Sequence, residues 1–156
     1  MRMATYQFPW NPFDPADPGP CIKFSVTRYV DDIENGKSIG LEYPEPPIPT
    51  ALIDTGSPFT IISKVLAKTC NLFLTNPKFP IRTLNGDCDT EEYCGPISFP
   101  GSGLPRIGAV QILARDFYKE ASYACIIGRN ILRRWDVRFN GQGRLVTIIA
   151  PDSFKS

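Results

Sequence analysis

The sequence predicts an all-β domain with one or two short helices, and three observations carry that prediction. Stretches of alternating apolar and polar residues, such as Ile22, Phe24 and Val26 between Lys23, Ser25 and Thr27, have the two-residue period of half-buried strands. Asn-Gly pairs at 35–36 and 85–86 carry the chemistry of tight hairpin turns. Unbroken apolar runs that stop at a turn residue, such as 123–127 ending at Gly128, read as short buried strands.

The elements follow in order. Residues 1–20 hold Pro9, Pro12, Pro15, Pro18 and Pro20 and read as an extended N-terminal arm. A half-buried strand follows over 21–30, and Asn35-Gly36 turns the chain into a returning strand with Ile39, Leu41 and Tyr43. Pro44, Pro46, Pro47 and Pro49 form a stiff connector to an apolar strand at 51–53. After a second apolar run, 59–62, Ser63 caps a short helix carrying Val65, Leu66 and Ala67, with Asn71 near its end. A strand over 79–84 turns at Asn85-Gly86 and returns through Tyr93 toward Phe99. Strands at 107–113 and 123–127 precede a short helix at 130–135. A closing hairpin of 136–140 and 144–150 folds over Gly141-Gln142-Gly143. The division expected is an arm over 1–20, one domain over 21–150 and a tail over 151–156.

Composition narrows the chemistry. The 156 residues are 42% hydrophobic, enough for one domain with a sizeable core. With 17 basic and 16 acidic residues the net charge is +1, so no nucleic-acid or membrane partner is expected. No run approaches the roughly 20 apolar residues of a membrane span, and the N-terminus lacks a signal-like apolar segment. A cytoplasmic location is the simpler expectation. Five cysteines stand at 21, 70, 88, 94 and 125, and there are no histidines. Free thiols follow from a reducing compartment, and Cys88 with Cys94 is the one pair expected to face across a hairpin. Without histidine, acid–base chemistry must run on carboxylate, lysine, tyrosine or thiol. No metal or other cofactor is expected.

The chemistry concentrates at Asp54-Thr55-Gly56-Ser57, where the apolar strand 51–53 delivers a carboxylate into a polar turn and 59–62 resumes the core pattern. A buried strand ends in an acid only where the acid is satisfied or used. Some 70 residues later Ile126-Ile127-Gly128-Arg129 ends another apolar strand and opens a helix, with a hairpin between the two motifs. This pairing over about 21–149 resembles the retropepsins, the single-domain aspartic peptidases of retroviruses and their cellular and bacterial relatives.

The resemblance implies a retropepsin-like closed β-barrel, an aspartic endopeptidase activity on polypeptide substrates, and Asp54 as the catalytic carboxylate. Two such acids must share a proton, and the chain has one, so a homodimer is implied. Thr55 would hydrogen-bond across the dimer, Gly56 would let backbone approach substrate, and the Ser57 hydroxyl would donate to Asp54. Leu84, Asn85, Gly86 and Asp87 match the flap that closes over substrate, although retroviral flap tips carry more glycine. Asp87, Asp89, Glu91 and Glu92 make that hairpin acidic, which reads as a solvated face or as a preference for basic substrates. Ile126 takes the place of a groove-lining residue, and Ile127, Gly128 and Arg129 complete the fold motif. In retroviral relatives the residue at Arg129 pairs with an acid just after the catalytic turn, where this chain has Pro58 and Phe59. Phe8-Pro9 resembles the aromatic–Pro bonds that retroviral enzymes cut and marks a site for self-processing. The terminal ribbon over 144–150 is the candidate for the dimer contact. A peptide-binding or dimerisation module without turnover is the alternative reading.

Overall fold

A computed structural model describes residues 2–43, 45–117 and 123–152. The architecture is mostly β, in two sheets. A three-stranded antiparallel sheet has the order β1-β11-β10, from β1 (Met3–Pro9), β10 (Asp136–Asn140) and β11 (Leu145–Pro151). The larger sheet has eight strands. They are β2 (Cys21–Lys23), β3 (Ser25–Val26), β4 (Thr50–Ile53), β5 (Thr60–Ser63), β6 (Phe73–Thr83), β7 (Gly86–Ser98), β8 (Ile107–Arg115) and β9 (Cys125–Ile127). Their order is β2-β4-β9-β5-β8-β7-β3, with β6 on β7.

The stretch read as one strand over 21–30 is where the large sheet closes on itself. β2 pairs with β4 at one end of the order, β3 pairs with β7 at the other, and only Phe24 separates them. Phe24 is fully buried and its N–H goes to the Pro49 carbonyl at 3.0 Å, so the chain changes partners without leaving a donor unpaired. The result is a nearly closed barrel. Its filling includes Ile62, Ile97, Ile112 and Ile127, and Phe99 lies edge-on to both Phe24 and Trp135 at 6.2 and 4.8 Å between centroids. Phe8, Val146, Ile148 and Ala150 tie the small sheet to the same core.

Four expectations are corrected. The Pro-rich arm contains a strand: residues 3–8 are free of proline, and β1 pairs with β11 from Met3↔Pro151 to Pro9↔Leu145. Phe8 is buried there, so the Phe8-Pro9 bond lies inside a paired strand. The ribbon over 144–150 is the middle strand of its sheet, with both edges filled, and has no free edge to offer a second chain. Asn35-Gly36 makes no hairpin. It lies inside helix α1 (Val30–Ser38), whose first turn carries Asp31 and Asp32 and whose last carries Lys37, the charge placement that suits the helix dipole. Gly40, at φ +87°, ends this helix, with Gly40 N–H on the Lys37 carbonyl and Leu41 N–H on the Gly36 carbonyl. Gly36 is buried where a β-carbon would overlap the Tyr43 ring, so its glycine serves packing and not a turn. Finally, Cys88 and Cys94 lie on the same strand, β7, about 20 Å apart at 3.3 Å per residue, and all five cysteines are free.

Other local readings hold. Ser63 caps α2 (Lys64–Thr69) by accepting from Leu66 N–H at 3.1 Å, and Asn85-Gly86 closes the β6–β7 hairpin with Thr83 opposite Gly86. Asn71 follows α2 at φ +47°. A single turn, α3 (Arg129–Leu132), follows β9. No helix among the described residues is long and apolar enough to cross a membrane.

Candidate active site

The site is built around β9, which lies between β4 and β5. β4 runs parallel to it in the register Leu52↔Ile126, and β5 runs antiparallel with Ile61↔Ile126. The chain leaving β4 must therefore pass over the end of β9 to reach β5, and residues 54–59 make that passage. Ala51 and Ile53 are buried on one side of β4, which fixes where Asp54 emerges.

Backbone bonds clamp the passage on both sides. Asp54 N–H donates to the Ile127 carbonyl at 3.1 Å, and Arg129 N–H donates to the Ser57 carbonyl at 2.8 Å. Within the turn, Gly56 N–H donates to Asp54 Oδ1 at 2.8 Å and Ser57 N–H to the Asp54 carbonyl at 3.3 Å. The carboxylate is thus half-exposed, oriented by a backbone donor, and leaves acceptor capacity facing outward. Thr55 and Gly56 are exposed beside it, and the Thr55 side chain makes no hydrogen bond among the described residues. The Ser57 hydroxyl was expected to donate to Asp54. It donates instead to the Phe59 carbonyl at 2.6 Å, and a hydroxyl has one proton to give.

Gly128 is the reason the clamp fits. A β-carbon there would overlap the Phe59 carbonyl, so the passage can lie directly on the end of β9 only if this residue has no side chain. Gly128 N–H reaches Thr60 Oγ1 at 3.2 Å, Thr60 donates to Asn130 Oδ1 at 2.8 Å, and Asn130 Nδ2 donates to the Gln111 carbonyl at 2.9 Å. Thr60 is fully buried, and this relay links β5, α3 and β8 beneath the turn. Neither Thr60 nor Asn130 was singled out from sequence. Their only signal there was a polar residue opening an apolar run and an amide at the start of a helix.

Above the turn lies a cleft of about 1110 Å³. Asp54, Gly56 and Ser57 line it, and so do Leu84 and Asn85 of the β6–β7 hairpin turn. Leu84 is fully exposed at the tip. Thr83 Oγ1 donates to the Gly86 carbonyl at 2.7 Å and accepts from Asn85 N–H at 3.2 Å, and Gly86 takes φ +105°, so one glycine suffices for this turn. Thr55, Gly86, Asp87 and Ile126 lie outside the cleft, and Ile126, expected to line it, is half-buried between β4 and β5. Phe59, Ile61, Ile81, Arg115, Asp116 and Phe117 also line it, none of them expected from the sequence to form part of the site. Arg129 is exposed and forms no ion pair among the described residues. No group of three or more cysteines and acids among the described residues could hold a metal ion.

No protein-family model matches this chain. No curated protein matches it in sequence either. Among solved structures, the chain is similar to the retroviral protease-like domain of Ddi1 from Leishmania major. Identity is 14%, the match covers 84% of this chain and 94% of that one, and the TM-score is 0.43. The chemical reading rests on the site itself.

Proposed function

We propose that the protein is an aspartic endopeptidase that works as a homodimer, with the active site formed where two copies of the 54–57 turn meet. One observation carries this reading. Asp54 stands half-exposed in a turn clamped to the end of β9, at a cleft of about 1110 Å³ bordered by a hairpin tip.

Two carboxylates held a few ångströms apart cannot both ionise and share a proton. The ionised one accepts a proton from a water whose oxygen attacks the peptide carbonyl carbon. The protonated one donates to the carbonyl oxygen. Collapse of the tetrahedral species then breaks the C–N bond, with a proton passing to the leaving amine. The chain contributes one Asp54, so the second comes from the partner. The exposed Thr55 and Gly56 suit a surface that a second copy covers. The Leu84 tip suits closure over substrate.

Hydrolysis of an unbiased peptide pool, measured with and without a pepstatin-type inhibitor, tests this reading. Cleavage that disappears in Asp54→Asn and scales with the dimer fraction supports it. Cleavage by a strict monomer overturns it. A second reading, a peptide-binding module without turnover, is favoured by Arg129, which has no carboxylate partner among the described residues to brace the catalytic turn. Peptide binding without cleavage at any pH would select it.

A further inference from the structure

We propose that the cleft selects polypeptides carrying an acidic side chain, with Arg115 as the specificity-determining cation. The proposal rests on the reading that this cleft receives an extended chain, and it names which chains.

Arg115 is the last residue of β8, opposite Ser63 of β5, and it lines the same cleft as Asp54. It is half-buried, and its guanidinium carbon lies 6.0 Å from the centre of the Phe117 ring, which also lines the cleft. The ring face orients the planar fork and excludes water from one side of it. Arg82, the other arginine lining the cleft, is exposed and meets Asp87 at 3.4 Å, and the exposed Arg138 and Arg2 meet Asp136 and Asp152. Arg115 forms no ion pair among the described residues. A partly desolvated guanidinium without an anion gains more from a ligand carboxylate than an exposed one does.

The hairpin acids do not offset it. None of Asp87, Asp89, Glu91 and Glu92 lines the cleft. Asp87 is engaged by Arg82, Glu91 accepts from the Tyr93 hydroxyl at 2.8 Å, and Glu92 accepts from Thr75 Oγ1 at 2.6 Å and from Gln111 Nε2. The acidic hairpin therefore presents none of these four carboxylates to the cleft wall. Apart from Asp54, Asp116 is the acid in the cleft, and it is exposed and unpaired with Arg115. Phe59, Ile61 and Ile81 supply the apolar remainder of the wall. The ligand that fits is an extended peptide with an apolar residue and, at a fixed distance from it, an aspartate or glutamate.

The test uses the Asp54→Asn protein, which binds without turnover, and randomised decapeptide pools with Glu or Gln fixed at each position in turn. The expected result is about tenfold tighter binding of the Glu pool at one position, the range of a charge-assisted hydrogen bond. Arg115→Gln should erase that preference while melting at the same temperature as its parent. Arg115→Lys should keep part of it, and the surface change Arg138→Gln should leave it intact. Equal binding of Glu and Gln pools at every position, no binding of any pool, or a preference that survives Arg115→Gln overturns the proposal. Acid-selective binding combined with no cleavage by the unaltered protein leaves this inference standing and removes the peptidase reading.

Discussion

Gly128 packs so closely beneath Phe59 that the Phe59 carbonyl oxygen occupies the space a β-carbon at position 128 would need. This contact sets the height of the 54–57 turn above β9, where Arg129 N–H bonds to the Ser57 carbonyl and Gly128 N–H to Thr60 Oγ1. The neighbour is backbone, not the end of a flexible side chain, so it can yield only if the whole turn lifts.

Gly128→Ala is therefore expected to cost about 3 kcal/mol, the upper range for overpacking, read as a lowered urea midpoint. Any residual peptide hydrolysis should fall further than stability does, since Asp54 and Ser57 move with the turn.

Leu84 separates stability from function in the opposite sense. Its side chain is fully exposed at the hairpin tip and buries nothing in the fold. Leu84→Ser should leave the melting temperature within about 2 °C, as surface changes do. If the tip closes over substrate, KM for peptide cleavage should rise severalfold while kcat changes less.

The Ser57 hydroxyl gives its proton to the Phe59 carbonyl and not to Asp54. The acid limb of the pH–rate profile should therefore be the same in Ser57→Ala as in the parent. The expected effect is on stability, about 1 kcal/mol for losing a half-buried hydrogen bond, measured by denaturant titration.

The thiols should react in the order of their exposure. Cys88 is exposed and should be labelled first by a thiol reagent, and Cys125, fully buried and pushed up strongly by burial, last. Burial holds Cys70 and Cys21 up at about 11, from an ordinary 9.0, with the charge of Asp17 adding to Cys21. The unfolded chain releases these protons from pH 9 upward while the fold keeps them. Their contribution is thus complete below pH 9 and lost as pH rises to about 11. Urea midpoints should fall across that window, and Cys70→Ala should flatten the decline.

What was legible in the sequence was local. Ser63 as a cap, Asn85-Gly86 as a turn and the closing hairpin depend on residues within a few positions, and each is present. The same dipeptide at 35–36 misled because helix capping by Gly40 and packing of Gly36 under Tyr43 outweigh a two-residue turn signal. The flanking prolines of 9–20 obscured β1, whose own residues 3–8 alternate well enough to pair. At the site, Asp54 and Gly128 were visible as motifs. Thr60, Asn130 and Arg115 were not, because each acquires its role from a partner 40 or more residues away or from a strand placed beside it only by barrel closure.

The pairing of Met3 with Pro151 has an architectural consequence. The first and last strands described thus bring Met3 and Pro151 side by side, so the unit spanning them can be spliced into a surface loop of another protein without prising that loop apart. Joining the two points with a short linker and opening the chain at the exposed Gly101 turn should yield a rewired protein with the same barrel.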